Sequence, residues 1–80
     1  MEEQHFPAYR ELANGRSRYR ITSPTHMVEV QRVGARFLRH HVEAMTYPER
    51  LRIHELMALQ DGSARAITAV EFDDWNAQAG

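Results

Sequence analysis

Cysteine is absent from the 80 residues, and so is lysine. Without cysteine the chain has no disulfide, thiolate zinc site, iron–sulfur cluster or thiol nucleophile. No apolar run approaches the ~20 residues that span a bilayer, so no membrane role is expected. The start, Met1-Glu2-Glu3-Gln4-His5, lacks the basic and apolar segments of a signal peptide. A cytoplasmic location is the expectation. Glycine (four) and proline (three) are few and scattered, so there is no glycine-rich phosphate loop. Ser17, Ser23 and Ser63 stand in cap or turn contexts, and none sits in a G-x-S-x-G elbow. Asp73-Asp74 is accounted for by a helix N-terminus, which favours negative charge. No two histidines have i,i+4 spacing, and the adjacent His40 and His41 would point about 100° apart on a helix. The expectation is therefore a non-enzyme with no cofactor and no metal.

What is present is an ordinary globular composition, 42% apolar and 26% charged. It suits one small domain over 1–80, with 1–5 and 77–80 expected to fray. A domain of this size buries only about 60–65% of the surface of its unfolded chain, so its stability margin is thin. All ten basic residues are arginine, and the net charge of −1 hides a split. Residues 1–9 carry Glu2 and Glu3. Residues 10–39 carry seven arginines against Glu11 and Glu29, for +5. Residues 40–80 carry three arginines against seven acids, for −4. Such asymmetry implies a basic face and an acidic one.

Punctuation sets the organisation. Asn14-Gly15 is a two-residue hairpin signal, since both residues accept positive φ. In that register Ala8 opposes Ile21 and Glu11 opposes Arg18. One face then carries Ala8, Arg10, Leu12, Tyr19 and Ile21. The other, basic and exposed, carries Tyr9, Glu11, Arg16, Arg18 and Arg20. A short helix from Pro7 to a stop at Gly15 is the rival reading. The alternation of Arg18-Tyr19-Arg20-Ile21-Thr22 favours the strand.

Residues 24–45 read as a long amphipathic helix. Ser23 is a good N-cap and Pro24 suits the first helical position. Met27, Val30, Val33 or Gly34, Phe37, Leu38, His41 or Val42, and Met45 recur at helical spacing. Arg32, Arg36 and Arg39 then share the opposite face. A second helix over 47–60 opens on a capping box, Thr46 with Glu49, and Gly62 is placed to stop it. A third, over 69–77, opens on Thr68 with Glu71, backed by an Ile67–Phe72 staple. Phe72 and Trp75 are its core anchors.

The expected fold is thus α+β and mostly α: a hairpin over 8–21 followed by three helices. The expected core is Leu12, Ile21, Met27, Val30, Phe37, Leu38, Val42, Leu51, Leu56, Met57, Ile67, Phe72 and Trp75. Such a chain suits a small regulatory or adaptor protein that binds a protein partner or a second copy of itself, as an inhibitor or modulator. The alternative is a nucleic-acid-binding regulator. It would use Arg16, Arg18, Arg20, Arg32, Arg36 and Arg39 on phosphates, with Tyr9 and Tyr19 stacking on bases. The net negative charge, and Glu71, Asp73 and Asp74 on the third helix, oppose that alternative.

Overall fold

The computed structural model describes residues 5–60 and 62–79. Among them the chain forms β1 (Ala8–Leu12), β2 (Ser17–Ser23), β3 (His26–Val33), β4 (Arg36–Glu43), α1 (Tyr47–Ala58), β5 (Ala64–Ala66) and α2 (Ala69–Gln78). The strands make one antiparallel sheet in the order β4-β3-β2-β1-β5. The protein is sheet-rich with two helices, which corrects the expectation of a mostly α, helical domain.

The correction lies in residues 24–45. They are two strands joined at Gly34-Ala35, with every residue from His26 to Val33 paired to one from Glu43 to Arg36. Gly34 sits at φ 60° with Ala35 on the ordinary side. That places glycine first in a two-residue hairpin loop, as a type II′ turn requires. Pro24 and Thr25 form the turn between β2 and β3 rather than a first helical turn. The helical spacing misleads because β3 is buried on both of its faces. Met27, Val28 and Val30 are all buried, so the strand's period of two is masked by an apolar run that also fits helical spacing.

The other elements stand close to expectation. β1 and β2 pair with Ala8 opposite Ile21 and Glu11 opposite Arg18. The turn itself differs: Gly15, not Asn14, takes positive φ, and its amide donates to the Leu12 carbonyl at 2.8 Å. α1 begins where Glu49 Oε1 accepts from both the backbone and the hydroxyl of Thr46. It ends at Leu59, in the left-handed region at φ 55°, before Gly62. α2 has the full reciprocal box: Thr68 Oγ1 accepts from the Glu71 amide while Glu71 Oε1 accepts from the Thr68 amide. Ala77 and Gln78 belong to α2 and Ala79 is buried. The expected fraying at 1–4 and 80, like Asp61, falls outside the described residues.

Strand alternation divides the core in two. On one face Ala8, Tyr19, Ile21, Met27 and Ala64 pack with Ile53 and Leu56 of α1. On the other, Val28 and Val30 pack with Phe72 and Trp75 of α2 and with Ala79 just after it, with Tyr9, Phe37 and Ile67 around them. Leu38 and Leu51, expected in the core, are 37% and 38% exposed. Val28 and Ile53 take core places that helical spacing does not assign, and Tyr19 is buried on the hairpin face it shares with Ala8 and Ile21.

Candidate functional site

Two surfaces remain once the core is filled: the arginine-bearing face under α2 and the free edge of β4. On the first, the sheet places Arg18, Arg20, Arg32 and Arg39 on the side that α2 packs against. Most of them are already engaged. Arg18 donates to Glu11 Oε2 at 2.7 Å and to the Glu71 carbonyl at 2.6 Å. Its guanidinium lies 4.2 Å from the centre of the Trp75 ring. Arg20 lies 5.4 Å from Phe72 and Arg32 lies 5.3 Å from Trp75, both within cation–π range. Arg39 donates to Asn76 Oδ1 and to the carbonyls of Asn76 and Ala79. It thereby caps the negative end of α2. Arg10 does the same for α1, donating to the Leu56 and Met57 carbonyls.

Glu11 is the anchor of this face. Its carboxylate is buried and receives Arg18 on one oxygen and Arg65 on the other. Burial pushes its pKa up, but the hydrogen bonds from Arg18 and Arg65 outweigh that and hold it below the usual carboxylate value.

The tyrosines face inward. Tyr19 is fully buried, its hydroxyl donating to Glu29 and accepting from Arg52. Tyr9 packs against Phe72 with ring centres 5.8 Å apart. Neither ring offers a free face of the kind that base stacking uses. Arg16 and Arg36 differ from the other arginines. They stand at the β1–β2 and β3–β4 turns, at the same end of the sheet. Among the described residues their side chains make no hydrogen bond or ion pair. Arg16 and Arg32 line an open groove of about 540 Å³ with Gln31, Val33 and Gly34. So the eight expected residues do not form one surface. Four arginines and Tyr9 lie on the α2 side, Tyr19 lies in the other core, and Arg16 and Arg36 mark one end.

The histidines do not converge. Among the described residues no three His, Asp or Glu side chains are placed to share a metal ion. His41, expected on a core-facing stripe, is exposed, and His26 Nδ1 is within 2.8 Å of Thr25 Oγ1.

The second surface was hidden by the helical reading. β4 is an outer strand, eight residues long, with no shift of register and no proline. A two-residue loop makes Val33 and Arg36 a hydrogen-bonded pair. The ladder then alternates up to the bond from the Ala44 amide to the Thr25 carbonyl. Arg36, Leu38, His40 and Val42 therefore turn their backbone groups to β3. Phe37, Arg39, His41 and Glu43 turn theirs outward. Beside this edge Val33 and Leu38, 50% and 37% exposed, stand on the α1 side of the hairpin where the helix does not reach. Met45 and Tyr47, just after the strand, are 70% and 74% exposed. The signal that would have found the edge is Gly34-Ala35, between Val28-Glu29-Val30 and Phe37-Leu38-Arg39.

Among the described residues no helix is long and apolar enough to cross a membrane. In comparisons with known proteins, no family model, no curated protein and no solved structure matches the chain.

Proposed function

We propose that this protein is a small non-catalytic adaptor or regulator that acts by binding another protein chain along the free edge of β4. The observation that carries this reading is the edge itself. Natural sheets blunt their edges with short strands, bulges, prolines, charged side chains or covering loops. β5, at the opposite edge, is three residues long. Among the described residues β4 is long, regular and uncovered, its edge guarded only by charged side chains such as Arg39 and Glu43, with four residues presenting unpaired amides and carbonyls. Such an edge accepts a further strand by main-chain hydrogen bonding, and the exposed side chains beside it supply selectivity. The engagement of Arg18 and Arg39 in ion pairs and helix capping also favours protein over phosphate, since those guanidiniums already have acceptors.

The test is affinity capture with three baits: the wild type, His41→Pro, and Arg16→Ala combined with Arg36→Ala. The His41 amide points away from β3, so proline there removes an edge donor while sparing the β3–β4 ladder. Protein partners are expected to be lost with His41→Pro and kept with the arginine variant. The reverse pattern would overturn the reading.

The contact of Arg16, Arg32 and Arg36 with nucleic-acid phosphates is a second reading, favoured by the two unengaged guanidiniums at one end of the sheet. It predicts that duplex or single-stranded DNA shifts the amide resonances of Arg16, Arg32 and Arg36 at low salt, and that salt suppresses the shift.

A further inference from the structure

We infer that the strand added to β4 comes from a second copy of this chain, pairing antiparallel about a two-fold axis at His40. The inference rests on the edge-binding reading above and names its occupant. Four observations lead to it.

The first is parity. Only Phe37, Arg39, His41 and Glu43 face outward, so a paired copy must set odd residues against odd ones. A two-fold axis through His40 does this and keeps all positions from 37 to 43 in the ladder. The eight-residue overlap centred between Arg39 and His40 sets odd against even and is forbidden.

The second is side-chain matching. With the axis at His40, Leu38 of each copy lies opposite Val42 of the other, on the face where Leu38 is now exposed. Apolar pairs directly across strands stabilise a sheet. The axis at Arg39 sets two arginines opposite one another, and the axis at His41 sets Leu38 opposite Ala44 and so loses the Leu38–Val42 match.

The third is charge. β4 begins with Arg36 and Arg39 and ends with Glu43. Antiparallel pairing about His40 sets Glu43 of the second copy diagonal to Arg39; the two Arg39 side chains are also diagonal, and each keeps its acceptors on Asn76 and Ala79. A parallel strand of the same sequence would put like against like.

The fourth is stability. A small domain with a thin stability margin gains from the extra burial.

The test uses the full chain and the absence of native cysteine. His40→Cys places one thiol per chain at the axis, in a non-hydrogen-bonded pair with Cα atoms about 4.5 Å apart, within disulfide range. Asp73→Cys, exposed on α2, is the control. Mild oxidation is expected to link His40→Cys nearly completely and Asp73→Cys hardly at all. Sedimentation equilibrium is expected to show a concentration-dependent dimer for the wild type and a monomer for His41→Pro. Far-ultraviolet circular dichroism checks that both variants are folded. A wild type that stays monomeric to millimolar concentration overturns the proposal, as does equal linking of the two cysteine variants. A monomeric wild type that still captures other proteins in a His41→Pro-sensitive way overturns the second copy while leaving edge binding intact.

Discussion

At the scale of single residues, the arginines act mainly as internal connectors. Arg18 joins a buried carboxylate, a helical carbonyl and an indole ring at once. Arg10 and Arg39 close helix ends. A lysine has one compact charge and no fork, so it would replace them poorly. Glu11 gives the clearest consequence. Its folded-state pKa is depressed, so its stabilising contribution is complete above the unfolded-state value near 4.5 and is lost as pH falls through the lower folded value. Acid titration of Glu11→Gln should therefore show a flatter loss of stability below about pH 5 than the wild type. At neutral pH Glu11→Ala should cost ~3 kcal/mol in urea unfolding, because Arg18 is left half-enclosed without its carboxylate. Trp75 is 7% exposed, with Phe37 edge-on at 5.3 Å and Arg18 and Arg32 against its ring. Trp75→Ala should cost about 3–5 kcal/mol. Arg32→Ala should cost about 0.5–1 kcal/mol through the lost ring contact. Arg36→Ala should stay within ~0.5 kcal/mol.

At the scale of elements, what the sequence made legible depended on whether the signal was local. Both helix starts rest on Thr-x-x-Glu, which acts over four residues and needs no tertiary partner. The β1–β2 hairpin rests on Asn14-Gly15 and a strict alternation beside it. The β3–β4 hairpin has an equally local loop, but the first half of β3 is buried on both faces. Val28 and Met27 are buried on opposite faces, so the alternation that marks a half-buried strand is missing. Tertiary burial, not local propensity, decides residues 24–45. The arginine site was legible only as a list of residues. Their division between core contacts, helix caps and two turns depends on the sheet's faces, which the helical reading scrambled. Gly34 separates the two readings experimentally. In mid-helix, glycine to alanine would stabilise by ~1 kcal/mol. At φ 60° in a tight turn, Gly34→Ala should destabilise by about 1–2 kcal/mol, although a Cβ there meets no neighbour within 4 Å. Thermal unfolding of that variant reads the sign directly.

At the scale of the whole molecule, the sheet ends in a three-residue strand on one side and an eight-residue strand on the other. α1 and α2 cover the two faces around β1 and β2. At the β5 edge the pairing ends after three residues, and the chain turns back through Ile67, whose amide donates to the Tyr9 carbonyl. At the opposite edge, among the described residues, the β3–β4 hairpin carries its outward backbone groups and the exposed Leu38 and Val33 without cover. An open edge on a small domain is both a route to association and a hazard, so its use should be visible at the backbone. The most direct measurement is amide hydrogen exchange along β4 as a function of protein concentration. Protection of Phe37, Arg39, His41 and Glu43 that rises with concentration, while Leu38, His40 and Val42 stay protected throughout, is the predicted result. Exchange at the four outward amides that stays fast at every concentration would contradict pairing with a second copy.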